Sequence, residues 1–117
     1  MKRLLLLILA LNASVVYAQK LPDVSAFSQQ QIFENWVQNR CISKIADSKS
    51  LKDDAEASAA AWLEASDLAA ENFEKADKVI DTLLKEKVGG TEQGHYQVLK
   101  CSVIANSDAI RSLKSQK

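Results

Sequence analysis

The chain has 117 residues with 15 basic and 15 acidic side chains, three glycines and one proline. A single domain is expected at this length. Because there is no excess of basic residues, the composition argues against a nucleic acid or an anionic membrane surface as the partner. Few glycines and prolines, combined with abundant alanine, leucine, lysine and glutamate, are typical of a helical domain.

The start of the chain has the pattern of a cleavable signal peptide. A basic pair at residues 2–3 precedes an unbroken apolar run at 4–11, and Val16 and Ala18 are small residues that a signal peptidase accepts. We predict cleavage after Ala18, release into the periplasm and a mature domain at residues 19–117 that is not bound to the membrane. Loss of the basic pair leaves 13 basic and 15 acidic residues, a net charge of −2. An uncleaved anchor is the alternative, and the shortness of the apolar run disfavours it.

The mature domain retains two cysteines, Cys41 and Cys101. In an oxidising compartment an even pair predicts a disulfide bond. The bond would close a loop of about sixty residues, and the chain-entropy model assigns such a loop roughly 4 kcal/mol of stabilisation. The alternative is a reactive thiol, which the absence of a CxxC spacing and of an adjacent histidine disfavours.

Two capping signatures predict the first two helices. Ser28 followed by Gln31 has the spacing of a capping box, so we expect a helix from there to about Ala46, with Cys41 on its apolar face. Ser50 with the carboxylate three residues later predicts the start of the second helix. The second helix is rich in alanine, and we expect it to be the central, closely packed element. Both tryptophans, Trp36 and Trp62, lie in apolar stripes and are expected in the core.

The third helix is predicted from about Asp67, with its cap at Ser66 or Asp67, to Lys87. Lys85 and Lys87 suit the negative end of the helix dipole. Acidic residues recur along the side that faces away from the apolar stripe. We interpret them as a solvated face or as a docking surface for a basic partner: Glu71, Glu74, Asp77 and Asp81.

A glycine-rich segment at residues 89–94 ends the third helix. A fourth helix is predicted from about Gln93 to Ala105, with Tyr96, Leu99 and Val103 among its apolar residues, and Ser107 can cap a short fifth helix. The expected fold is therefore all-α, a small four- to five-helix bundle. Its first and fourth helices would be joined by the disulfide between Cys41 and Cys101.

The sequence offers little for catalysis or for a cofactor. The single histidine, His95, lacks the clustered ligands that a metal site needs, so we expect no metal and no cofactor. Cys101 and His95 could form a nucleophile and base only on paper, because their six-residue separation places them on different helix faces. We therefore predict that the protein is not an enzyme.

Three short patterns suggest a family. A W-V-x-x-R-C-I pattern runs from Trp36 to Ile42, Gly89-Gly90 follows the third helix, and Lys100 precedes Cys101. With these patterns in this order, the chain resembles the immunity proteins that neutralise the fourth class of amidase effectors in bacterial type VI secretion systems. The resemblance extends over nearly all of residues 19–117.

The resemblance implies self-protection. Members of this family are all-helical homodimers that reside in the periplasm and bind two copies of the effector. The effector is a papain-like cysteine peptidase that cleaves the D-Glu–diaminopimelate bond of the murein stem peptide, and the immunity protein blocks its catalytic cleft. The resemblance thus implies a cognate amidase as the partner.

Blocking a cleft requires a protruding element, and the glycine-rich segment is our candidate because glycine permits close backbone approach. An ordinary connector between two helices is the alternative. The acidic residues of the third helix, Glu71, Glu74, Asp77 and Asp81, could steer association. The segment and its neighbours complete the predicted contact set: Gly89, Gly90, Thr91, Glu92, Gln93, Gly94, His95 and Tyr96.

Two other functions stay open at the level of sequence. The first is a periplasmic helical carrier of a small ligand or metal, which would need an apolar cavity with convergent polar groups. The second is an inhibitor of a different cell-wall hydrolase, such as a lysozyme. The second differs from the amidase hypothesis only in its target.

Overall fold

A computed structural model describes residues 19–89 and 95–114, with the backbone alone at residue 114. Within these ranges there is no strand, which confirms the all-α prediction. The predicted signal peptide lies outside the described residues, and its cleavage stays a prediction. After a short 3-10 turn, Val24–Ala26, five helices follow in chain order: α1 Gln29–Ile45, α2 Lys49–Glu64, α3 Ala70–Leu83, α4 Gln97–Ala105 and α5 Asp108–Lys114.

The predicted capping box at the start of α1 is confirmed. The Ser28 hydroxyl oxygen accepts a hydrogen bond from the Gln31 amide at 3.1 Å, and the Gln31 side-chain oxygen accepts one from the Ser28 amide at 3.0 Å. Two amide groups that have no partner within the helix are thereby satisfied. The helix ends where Ala46 adopts an extended backbone, close to the predicted end.

The start of α2 differs from the prediction, because Ser48 and not Ser50 is the capping residue. Ser48 has an extended backbone, with φ −125° and ψ 147°, and its hydroxyl accepts a hydrogen bond from the Leu51 amide at 3.2 Å. Ser50 already lies in the first helical turn. A capping residue needs a non-helical backbone for its side chain to reach back, so the earlier serine takes the role.

The start of α3 also differs, since the helix begins at Ala70 and not near Asp67. The preceding turn is held by other bonds: the Gln29 side-chain amide donates to the Ala65 carbonyl at 3.2 Å and accepts from the Asp67 amide at 2.9 Å. Ser66 accepts from the Leu68 amide at 3.1 Å. These bonds keep the turn out of the helix, and α3 begins without a side-chain cap.

The third helix ends earlier than predicted and the fourth begins later, whereas the predicted cap of the fifth helix is confirmed. The third helix ends at Leu83, and α4 begins at Gln97; the start predicted for it at Gln93 lies outside the described residues. The Ser107 hydroxyl accepts a hydrogen bond from the Ile110 amide at 3.3 Å, so Ser107 caps α5 as expected.

The first helix, not the alanine-rich second, is the central element of the bundle. It contacts each of the other four helices, whereas α2 packs mainly on α1. The buried small residues of α2, Ala55 and Ala59, lie on its inner face. Small side chains thus allow α2 to lie against α1, but they do not place it at the centre. The apolar side chains of α1 are longer, and a long helix with several apolar residues can contact more neighbours.

An aromatic cluster occupies the middle of the core. The ring of Phe73 lies edge-on to Phe33 at 5.3 Å and to Trp36 at 4.9 Å, as aromatic pairs prefer. Trp36 is buried, as predicted. Trp62, which was also predicted in the core, is instead half-buried; it packs against the core, and its ring meets that of Phe27 at 5.1 Å.

The disulfide between Cys41 and Cys101 is present and joins α1 to α4, with a Cα–Cα distance of 5.5 Å. Both cysteines are fully buried. The bond holds the short α4 against the central helix, as the sequence predicted.

Candidate functional site

The four acidic residues of α3 differ in their surroundings. Glu71, Glu74 and Asp81 are exposed, whereas Asp77 is half-buried against α1. Glu71 forms an ion pair along its own helix with Lys75 at 3.0 Å. Glu71 and Glu74 therefore remain at the surface, where a partner can reach them.

Two cations of α1 approach the middle of α3. Arg40 donates through Nε to Asp77 Oδ1 at 2.7 Å, and Lys44 Nζ lies 3.2 Å from the same oxygen. Lys44 also lies 2.8 Å from Asp81 Oδ1, and Arg40 lies 3.9 Å from Glu56 on α2. Asp77 and Asp81 thus link helices within the molecule, a role that sequence spacing alone does not show.

The pKa of Asp77 reflects this position. Burial alone would raise the pKa of its carboxyl group, but the hydrogen bonds from Arg40 and Lys44 outweigh burial and lower it. In turn, the hydrogen bond to Asp77 raises the pKa of Arg40. Asp77 is therefore an anion at neutral pH, held by two cations.

The glycine-rich segment follows α3 and precedes α4 in the chain. Gly90, Thr91, Glu92, Gln93 and Gly94 lie outside the described residues. Before them Gly89 has φ +31°, and no atom lies within 4 Å of the position that a Cβ would take. Glycine is therefore favoured here by the backbone conformation, and a side chain would not clash with a neighbour.

After the segment, His95 and Tyr96 are both exposed. Tyr96 has φ 57° and ψ 41°, in the left-handed region that non-glycine residues rarely occupy, and it forms the N-cap of α4 without a side-chain bond. The described residues that flank the segment, Gly89 and His95, therefore lie outside the helices and are exposed.

Lys100 is a feature of this end of the bundle that the sequence did not identify. The residue is only 4% exposed, and its Nζ donates to the Leu84 carbonyl at 3.1 Å. A signal was available: Lys100 lies next to Cys101 and four residues before the buried Ile104, on the inner face of α4. A lysine on a buried face needs a partner.

The outer face of α4 carries exposed apolar side chains. Tyr96, Leu99 and Val103 are 63%, 47% and 50% exposed, although they were predicted among the apolar residues of this helix. The short helix turns its Cys101 side to the core instead, because the disulfide fixes that side against α1. Of these residues, Val103 borders the same cavity as Gly89.

One known protein family matches most of this chain. A family model named Tai4, described as type VI secretion system (T6SS), amidase immunity protein, matches residues 31–114. The chain belongs to this family of immunity proteins. The match confirms the family resemblance and spans all five helices except the first two residues of α1.

Solved structures similar to this immunity protein come from effector–immunity complexes. One is the effector Tae4 from Salmonella typhimurium in complex with the immunity Tai4 from Enterobacter cloacae. The matched chain is 82% identical with a TM-score of 0.77, over 82% of this chain and 99% of that chain. Another is the Tae4-Tai4 complex from Enterobacter cloacae, with 82% identity and a TM-score of 0.78, over 84% of this chain and 100% of that chain.

A third structure, the Tae4/Tai4 effector–immunity system from Salmonella typhimurium, shares the fold at 20% identity, with a TM-score of 0.72 over 84% of this chain and 97% of that chain. No curated protein matches the chain. The five-helix fold therefore persists in this immunity family even where few residues are shared.

The structure of the immunity protein describes residues 19–89 and 95–114. In these ranges no three His, Cys, Asp or Glu side chains are grouped as metal ligands would be. The same ranges contain no helix with the length and apolar character of a membrane span.

Proposed function

We propose that this immunity protein binds a Tae4-type amidase effector and inhibits it by blocking the catalytic cleft. The observation that carries the proposal is its 82% identity to chains crystallised in Tae4–Tai4 complexes. At this identity the surface as well as the fold is largely retained, so the same class of partner is expected.

The contact surface that we propose combines the segment at residues 89–96 with the acidic side of α3. Gly89, His95 and Tyr96 face solvent, as a protruding element requires. Glu71 and Glu74, in the first half of α3, are the exposed charges that would steer a basic rim of the amidase toward this helix. Asp77 and Asp81 contribute to the field while holding the α1–α3 contact.

Inhibition by this surface is steric and needs no chemistry from the immunity protein. A segment that fills a peptide-binding cleft excludes the murein stem peptide from the catalytic residues. We propose accordingly that the protein is not an enzyme. Incubated alone with purified murein, it should release no peptide fragments, and measurable release would contradict this part of the proposal.

The decisive experiment is titration of a Tae4-type amidase with residues 19–117 in a murein-hydrolysis assay. Hydrolysis should fall to background at a stoichiometric ratio, with a stable complex in size-exclusion chromatography. Absence of a complex together with undiminished hydrolysis would contradict the proposal. Replacement of Thr91, Glu92 and Gln93 by alanine should weaken inhibition without lowering the melting temperature.

Matched charge reversals test the acidic side of α3. Glu74→Lys should slow association with the amidase and reduce its dependence on ionic strength, because exposed charges act mainly on the association rate. Glu64→Lys, an exposed position on α2, is the control with the same change of charge. Equal association rates for the two variants would remove α3 from the contact surface.

We further propose that the protein acts in the periplasm after cleavage behind Ala18, as a mature domain at residues 19–117. The basic and apolar start of the chain supports this location. Mass spectrometry of protein from a periplasmic extract should find Gln19 at the N-terminus. Intact protein confined to the cytoplasm would contradict it.

We also propose that two copies form a homodimer, as the family resemblance implies. The light-scattering mass of the purified mature domain should be twice that of one chain. A mass equal to one chain at micromolar concentration would contradict the dimer without affecting the proposed inhibition.

A further inference from the structure

The last two helices, α4 and α5 (the C-terminal helix pair), have little stability of their own. Helix α4 has nine residues and α5 has seven, whereas isolated helices shorter than about 12–15 residues are marginal in water. Helix α4 also starts without a side-chain cap, after Tyr96 in a left-handed backbone conformation that is unfavourable for a residue other than glycine. The pair therefore depends on contacts with the rest of the bundle to remain helical.

Those contacts are made by one side of the pair. It contributes four residues to the hydrophobic core, Cys101, Ile104 and Ala105 from α4 and Ile110 from α5. Helix α4 packs mainly on α1, and α5 packs mainly on α3. The opposite side of α4 is exposed, so this short helix buries apolar area along a single face.

The disulfide joins the pair covalently to the first helix. Cys101 of α4 is bonded to Cys41 of α1 across a separation of 60 residues. In the reduced chain, docking of the pair has to close that long loop against its conformational entropy, and the bond removes this cost. Reduction should therefore weaken the docking of the pair more than the packing of α2 on α1, because only the short turn at residues 46–48 separates those two helices.

The position of the two sulfur atoms makes the bond hard to break in the folded domain. Both cysteines are 0% exposed. Thiol–disulfide exchange requires an external thiolate to reach one of the sulfur atoms, so a reductant can act only after the pair has opened. The same thiols are accessible while the pair is undocked. The bond thus forms readily in an open chain and is protected once the domain has closed.

We propose that formation of the Cys41–Cys101 bond controls docking of the C-terminal helix pair, so that the immunity domain is completed only after export. The inference rests on the proposed periplasmic location. In the reducing cytoplasm both residues stay thiols, and the pair of the precursor stays undocked. A partly open precursor also suits transport across the membrane as an unfolded chain.

The oxidation needs an external acceptor, which we infer to be the disulfide of a periplasmic thiol–disulfide oxidoreductase. One cysteine thiolate attacks that disulfide and forms a mixed disulfide, and the second thiolate then displaces the oxidoreductase. The immunity protein loses two protons and two electrons, and the acceptor disulfide becomes two thiols. Docking of the pair then buries the new bond.

The test compares hydrogen exchange in the purified mature domain, residues 19–117, before and after complete reduction by a dithiol. Ala105 in α4 and Ala59 in α2 are matched positions, because both are alanines buried in a helix that packs on α1. On reduction the amide of Ala105 should exchange about a hundredfold faster or more, whereas that of Ala59 should change less than about tenfold. Replacement of both cysteines by alanine should reproduce the reduced pattern without a reductant.

Trypsin gives a second readout, because it cleaves after lysine. Lys100 lies in α4 and is only 4% exposed in the closed domain. Cleavage after Lys100 should be slow in the oxidised protein and about tenfold faster or more in the reduced protein. The same digestion applied to residues 19–117 retained in the cytoplasm, with thiols blocked at lysis, should find both cysteines alkylated and rapid cleavage after Lys100.

Three results would overturn the inference. The first is unchanged exchange at Ala105 after complete reduction, which would show that the pair docks without the bond. The second is equal acceleration at Ala105 and Ala59, which would show that reduction unfolds the whole domain in one step. The third is an intact disulfide in the protein retained in the cytoplasm. A protein that is not exported would instead contradict the proposed location, and the exchange of the purified domain does not depend on that result.

Discussion

The middle and the end of α3 are both held by a cation that directly precedes a disulfide cysteine. In the middle, Arg40 precedes Cys41 and pairs with Asp77 at 2.7 Å. At the end, Lys100 precedes Cys101 and donates to the Leu84 carbonyl at 3.1 Å.

The two contacts differ in burial and in the partner. The Arg40 side chain is 34% exposed and meets a carboxylate, whereas Lys100 is 4% exposed and meets a neutral carbonyl. Water can replace the partner of Arg40 but has little access to Lys100. A neutral carbonyl attracts a cation less strongly than a carboxylate does. Because of the difference in burial, however, loss of the Lys100 contact should lower the stability more than loss of the Arg40 contact.

Removing the disulfide that adjoins both cations should have the largest effect on stability. Replacing Cys41 and Cys101 by alanine should lower the free energy of unfolding by roughly 4 kcal/mol, because the unfolded chain loses a loop constraint. Urea denaturation measures the difference. Reductant should destabilise the wild type and leave the double variant unchanged; an indifferent wild type would refute the prediction.

Removing only the buried cation should have an intermediate effect. Lys100→Met removes the hydrogen bond to the Leu84 carbonyl, and a hydrogen bond to a charged group contributes about 1.5–3 kcal/mol. The same urea denaturation measures the change. An unchanged or raised stability would show that the apolar methionine compensates for the lost bond, and the contrast between the two ends of α3 would then disappear.

Removing the half-exposed pair should have a smaller effect. A double-mutant cycle of Arg40→Met and Asp77→Asn should give a coupling free energy of about 0.2–1 kcal/mol, because solvent screens the charges. The coupling should fall further at high salt. Coupling as large as the effect of Lys100→Met would mean that exposure does not separate the two contacts.

The loss of stability on protonation of Asp77 at acid pH should be the smallest of these effects. Because the folded-state pKa of Asp77 is lowered from the ordinary 3.8, its stabilisation is complete above that value and disappears as the pH falls through the lowered pKa. The stability difference between wild type and Asp77→Asn should therefore shrink between about pH 5 and pH 2. A difference that grows toward low pH would contradict the sign of this shift.

Much of the architecture was predictable from local patterns. The capping box at Ser28, the cap at Ser107 and the pairing of Cys41 with Cys101 each depend on a few neighbouring residues or on a single possible connection. The glycine-rich segment correctly separated the third helix from the fourth in the chain, but α3 ends at Leu83 and not at the predicted Lys87.

The errors arose where tertiary contacts decide. The choice between Ser48 and Ser50 depends on backbone angles that neither sequence pattern specifies. The late start of α3 follows from Gln29, a residue far away in sequence that holds the turn.

The candidate site was only partly predictable for the same reason. Spacing placed Asp77 on one side of α3, but not beside Arg40. The partner of Lys100 is a backbone carbonyl, and carbonyls occur at every position, so no pair of residue types in the sequence identifies that contact.

The two tryptophans give each part of the molecule its own optical signal. Trp36 lies in the core against Phe73, while Trp62 is half-buried and touches Phe27, which precedes α1. The fluorescence emission of an indole ring shifts to longer wavelength when the ring becomes exposed to water. A Trp36→Phe variant would therefore report, through Trp62 alone, when the chain before α1 detaches from α2. A Trp62→Phe variant would report loss of the core, so that loosening of the N-terminal segment and unfolding of the bundle can be timed separately in one instrument.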